Sequence, residues 1–129
     1  MPLANQTEPI IAACCAALGI ARSRVEVSVS IVSPARMRTL NRTHRSKDKP
    51  TDVLSFPLYT RTELSTLMKK RGILPVGDIF INRSDVKKRF AFLVVHGFLH
   101  LCGYDHETSK KEERIMFTLQ DEILSHLRN

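Results

Sequence analysis

Residues 90–101, FAFLVVHGFLHL, are apolar on almost every side of a helix. That one segment constrains the rest of the chain. A helix with an apolar stripe can lie on a surface, but one that is apolar all round must be enclosed by other elements. It is therefore expected at the centre of the molecule, running from Ser84 to about Cys102 and ended by Gly103. Yet the overlapping run VVHGFLHLCGYDHE (94–107) carries three of the chain's five histidines, His96, His100 and His106. Unpaired polar groups are costly to bury, so the fold has to give these side chains a partner.

The remaining segments supply the enclosure. Residues 8–18 read as a helix, with Thr7 as N-cap and Gly19 at its stop. RVEVSVSIV (24–32) alternates Val25, Val27, Val29 and Ile31 on one side, the pattern of a half-buried strand. Ser33 and Pro34 then start a helix that runs to about His44. TDVLSF (51–56) is a second strand ended by Pro57, and GDIFIN (77–82) a short third one. The polar stretch 57–76 between them, with Gly72 and Pro75, leaves room for one or two helical turns. Ser109 and Glu112 form a capping box for a closing helix with Ile115, Leu119, Ile123 and Leu127 on one stripe. Strands and helices mix without regular βαβ alternation. The expected class is α+β: a single small mixed β-sheet packed with helices, its buried central helix carrying two metal-ligand histidines. A length of 129 residues suits one domain with one core, residues 1–129.

No apolar run reaches the roughly 18 to 20 residues that span a bilayer. The longest, IIAACCAALGIA (10–21), follows a segment with no Lys or Arg and with Glu8, the wrong charge for a secretory leader. Cys14, Cys15 and Cys102 make no disulfide framework. Together these point to a cytoplasmic protein with no membrane partner and three small buried thiols.

At about 100° per residue, His96 and His100 differ by roughly 40° around a helix and by one turn along it. Their rings leave one face. Gly103 tolerates a positive φ and lets the chain turn so that His106 returns to the same point. Imidazole nitrogens suit zinc and other borderline divalent ions, and three ligands with a vacant fourth position is the catalytic arrangement. The expected cofactor is one Zn2+ per chain, with another divalent ion as the alternative. Cys102, about 200° around the helix from His100, faces away. Separately bonded histidines would explain one such residue better than three at this spacing. The spacing HxxxHxxGxxH overlaps the metalloprotease pattern HExxHxxGxxH. Gly97 stands where that pattern has its glutamate base, so peptide hydrolysis would need another carboxylate such as Glu107.

RMRTLNRTHRSKDKP (36–50) sets Arg36, Arg38, Arg42, Arg45, Lys47 and Lys49 against Asp48 alone. Arg38, Arg42 and Arg45 share a helix face and run into a loop anchored by a strand. The formal charge of +7 agrees with a polyanionic partner. Arginine forks match phosphate oxygens, so Arg38, Arg42, Arg45, Lys47 and Lys49 are candidate phosphate contacts, and beside a metal site they suggest phosphodiester chemistry.

HGFLHLCGYDHE (96–107), LNRTHRSKDKPTDVLSFP (40–57) and GDIFIN (77–82), in that family's order, resemble the YbeY family of bacterial ribosomal-RNA maturation factors. The resemblance implies a metal-dependent, single-strand-specific endoribonuclease acting at the 3′ end of the small-subunit ribosomal RNA and in ribosome quality control. It implies zinc on His96, His100 and His106 and a functional arginine at Arg45. It also suggests the small ribosomal subunit, its proteins and a ribosome-associated GTPase as partners. Three departures stand out. Cys102 replaces an aliphatic residue, His44 replaces an aromatic such as Tyr, and the stretch between GDIFIN and the metal helix is short, which trims a loop beside the cleft.

The expected mechanism has the cation acidify water and polarise a phosphoryl oxygen. Arg45 stabilises the transition-state charge. Asp105 or Glu107 orients a ligand histidine or shuttles a proton. Either water or the RNA 2′-hydroxyl attacks. Two rivals are an RNA-binding ribosome-assembly factor with a structural metal, and a small metalloprotease.

Overall fold

A computed structural model describes the backbone of residues 2–128 and the side chains of residues 6–128. Helix α1 spans Pro2–Leu18, β1 Val25–Val32, α2 Pro34–Arg45, β2 Val53–Pro57 and α3 Arg61–Met68. Strand β3 covers Leu74–Asn82, α4 Val86–Leu101 and α5 Lys110–Arg128. The strands form one mixed sheet in the order β1-β3-β2. β3 runs parallel to β1 and antiparallel to β2. The outer edge of β2 is therefore free among the described strands.

The sheet is covered on both faces. Alternation along β3 sends Ile79 and Ile81 into the main core with α1, α4 and α5, and Phe80 to the other side. There α2 covers a smaller core of Met37, Leu40 and Leu54. Ser33 caps α2 by accepting the Arg36 N–H, and Pro34 opens it. Met37 is 0% exposed. Burying such a side chain contributes about 1.5–3 kcal/mol towards docking this otherwise polar helix.

The central helix lies where the sequence requires. Leu93, Val94, Val95, Phe98 and Leu99 are fully buried, enclosed by α1, α5, β2 and β3. Gly97 sets how near it comes to the sheet. A Cβ there would stand 2.8 Å from Ile79 Cγ2 and 3.1 Å from Ser55 Oγ. A glutamate at this position has no space, so the protease-like base is excluded by packing as well as by sequence.

Four expectations are corrected. α1 starts at Pro2, so Thr7 lies inside it rather than capping it. The residues that dock the helix, Ile10, Ile11, Cys14 and Cys15, all lie beyond Pro9, and the turn that Pro9 perturbs borders solvent. β3 starts at Leu74, three residues before GDIFIN. A register shift, with Glu26 opposite Pro75 and Val27 opposite Gly77, places an extra residue where a regular ladder would need the missing proline N–H. In α5 Ile123 is buried and Leu119 and Leu127 pack against the core as expected, but Ile115 is 37% exposed and Met116 and Gln120 are buried instead. The stripe turns because a polar residue, Gln120, faces inward. Ser109 does accept the Glu112 N–H, but the Glu112 carboxylate pairs with Arg61 at 3.2 Å instead of closing the box. The full capping box belongs to α3, between Thr60 and Glu63.

Candidate metal centre

His96 and His100 leave α4 one turn apart, as their spacing requires. Gly103 then reverses the chain at φ 94°, bonding its N–H to the His100 carbonyl. A side chain cannot replace it, since a Cβ would lie 2.5 Å from Arg61 Cβ. Beyond the turn, Asp105 Oδ1 accepts the Glu107 N–H at 2.8 Å and fixes the loop that carries His106. The three rings meet. Centroids are 4.7 Å apart for His96–His100 and 5.4 Å for each pair with His106. One ligand nitrogen from each lies within 4.8 Å of the other two, and all three residues are half-buried.

Second contacts orient the rings. The amide oxygen of Gln120, 3% exposed, lies 2.9 Å from Nδ1 of His96. An amide oxygen only accepts, so Nδ1 carries the proton and Nε2 keeps its lone pair. That Nε2 points at His100 Nε2, 3.2 Å away. Phe92 stacks on His96, and Phe117 on His106. Burial holds the His96 imidazolium below its usual range, more than the Gln120 bond restores. Burial, then the neighbouring His96 and His106, push His100 down to about 4. Both are neutral near pH 7, the form that coordinates a metal.

The donor set fits a cation. The Nδ1 atom of His106 is buried with no hydrogen-bond partner, and the Nε2 atoms of His96 and His100 converge without a third group between them. Cys102 is not among the donors: it is 4% exposed in the main core, its thiol pushed up to about 12 by burial. Three imidazoles leave the coordination open, as in catalytic sites.

The triad opens on a cleft of about 910 Å3 that wraps the free edge of β2. Arg45, Asp105 and Glu107 line it, as do His44, Phe56, Arg61 and Tyr104. Glu107 Oε1 is 3.8 Å from His106 Nε2. Arg38, Arg42, Lys47 and Lys49 are exposed and lie outside the cleft lining. Arg38 and Arg42 turn instead to Asp48, at 2.8 and 3.6 Å, and Arg38 holds that carboxyl below its usual range. Buried Asn41 ties down the same loop by donating to the Lys49 carbonyl at 2.8 Å.

Two residues escaped the sequence reading. Gln120 left a signal: it is a polar residue four positions after Met116 and three before Ile123, on what proves to be the buried face. Arg61 left none. Its guanidinium covers the Tyr104 ring at 4.4 Å, a contact between segments distant in sequence.

A family model described as "Endoribonuclease YbeY" matches residues 2–128. Endoribonuclease YbeY of Geobacillus thermodenitrificans is 48% identical over 112 residues, covering 78% of this chain and 71% of the relative. The Bacillus subtilis protein of the same name is 43% identical over 115 residues, 80% of this chain and 73% of the relative. The solution structure of a Thermotoga maritima protein superposes with a TM-score of 0.53 at 29% identity, over 94% of this chain and 77% of that one.

Proposed function

The chain belongs to the endoribonuclease YbeY family, and from that membership we infer that it is an endoribonuclease acting in ribosomal RNA maturation. We further propose that residues 1–129 form one hydrolase domain, that it works in the cytoplasm and is selective for single strands, and that its cofactor is Zn2+. No helix among the described residues is long and apolar enough to cross a membrane. The observation that carries the chemistry is the convergence of three imidazole nitrogens within 4.8 Å in the same cleft as Arg45.

His96, His100 and His106 would hold the cation, which would supply Lewis acidity towards a phosphoryl oxygen and a lowered pKa for water. Gln120 keeps the His96 proton on Nδ1 and so presents Nε2. Arg45, exposed on the cleft wall, places a guanidinium where charge accumulates on the phosphate in the transition state. Asp105 holds the His106 loop through the Glu107 N–H, and Glu107, beside His106 and open to solvent, is the group placed to carry a proton away. Arg38, Arg42, Lys47 and Lys49 form an outer basic surface that attracts RNA without touching the reacting phosphate.

The substrate we propose is the 3′ end of small-subunit ribosomal RNA, with the small subunit, its proteins and a ribosome-associated GTPase as partners and ribosome quality control as a further role. Single alanine replacements of His96, His100 and Arg45 are each expected to abolish cleavage of single-stranded RNA by the purified protein. Undiminished cleavage in all three would place the activity elsewhere.

A further inference from the structure

Beside the metal centre the cleft holds a second feature that the hydrolytic chemistry leaves unused. His44 sits on the last turn of α2 and is exposed, its ring 4.8 Å from Phe56 and tilted by 58°. Phe56 in turn meets Phe80 edge-on at 5.6 Å. The three rings climb from the sheet to the cleft wall, and His44 is the outermost. Among the described residues its ring nitrogens bond nothing, and its ring contact is with Phe56. Arg45 is the next residue and lines the same wall.

We propose that His44, supported by Phe56, is a stacking platform for one unpaired base of the RNA chain, with Arg45 taking the adjoining phosphate. This rests on the endoribonuclease reading and adds how the strand is held. An exposed aromatic face beside a guanidinium is how proteins hold unstacked bases irrespective of sequence. The placement also accounts for strand selectivity. Phe56 lies on the sheet face covered by α2, while Ser55, its neighbour on β2, faces α4 at Gly97. A chain reaching from the metal centre to His44 must bend around the free β2 edge with its bases unpaired. A duplex cannot present one base to a single ring. The alternative, that His44 is a lid on the smaller core, is weakened by that core's own closure: Met37 is 0% and Leu54 3% exposed, while His44 is open.

The test uses the purified metal-bearing protein and a 2′-O-methyl, phosphorothioate-linked pentanucleotide, recovered intact after each titration, with 2-aminopurine at successive positions. One position should be quenched on binding. His44→Ala should remove the quench and weaken binding roughly tenfold, and His44→Tyr should restore both. With an abasic nucleotide at that position, wild type and His44→Ala should bind alike, while Arg45→Ala weakens both oligonucleotides. A thermal melt of His44→Ala should match wild type. The proposal is overturned if His44→Ala binds the intact strand like wild type, or if it loses the abasic strand equally. In those cases cleavage by the wild type persists and only the platform fails. If the wild type neither binds nor cleaves single-stranded RNA, the endoribonuclease reading falls with it.

Discussion

At Gly97 two effects of opposite sign compete, and the structure decides between them. Replacing glycine by alanine in a helix interior favours folding by about 1 kcal/mol when nothing is near. Here the new methyl meets Ile79 Cγ2 at 2.8 Å, Ser55 Oγ at 3.1 Å and Ile79 Cδ1 at 3.3 Å. Ile79 is 0% exposed on the central strand and has no space to retreat into. Adding a methyl to such a site costs about 1–3 kcal/mol. The packing cost wins, and Gly97→Ala should be destabilised by about 1 kcal/mol net, read from urea unfolding of the two proteins. Because the clash involves Ile79, the cost should shrink in an Ile79→Ala background rather than add to it. A variant about 1 kcal/mol more stable than wild type would mean that helix propensity acts unopposed. The close seat of α4 on the sheet, and with it the placing of both its histidines, would then be wrong.

Gln120→Leu removes the acceptor on His96 Nδ1 while keeping the stripe apolar. Metal affinity should fall about 10- to 100-fold in a chelator competition with little change in unfolding midpoint; unchanged affinity would make Gln120 a packing residue only. For the metal-free protein, His96 and His100 titrate lower in the folded state than in the unfolded chain, chiefly because they are buried. Above the ordinary value near 6.5 both states are neutral and nothing is lost. As pH falls from there through about 4, the unfolded chain binds protons that the folded one refuses, so stability declines. His100→Gln should decline less steeply over that window, and identical slopes would contradict the assignment. Burial pushes the Cys14 and Cys102 thiols up to about 12. Alkylation should therefore be slow on native protein and fast in denaturant; rapid native labelling would show that these residues are not enclosed.

The cluster of three histidines was legible in the sequence because its signals are local. His96 and His100 need only the helical repeat, and Gly103 announces the turn that returns His106. The central helix was legible because an all-round apolar segment has one place to go. What stayed hidden depends on partners far along the chain. Gln120 gains its role only because α5 faces it towards His96, and Ile115 drops out of the apolar stripe on the same helix. Pro75 suggested a boundary, yet the shift in register against β1 absorbs it. Arg38, Arg42, Lys47 and Lys49 share the charge of Arg45, but only the fold reveals that Arg45 alone among them lines the cleft, while Asp48 draws Arg38 and Arg42 aside.

Whether the three rings hold a cation is decided by the metal content of the purified protein, measured by elemental analysis beside His100→Ala of verified fold. The wild type should carry one divalent ion per chain, and the variant should lose it on dialysis. A folded wild type that takes up no divalent ion when offered one, or a His100→Ala protein that retains it equally well, would contradict a cation held between these three rings.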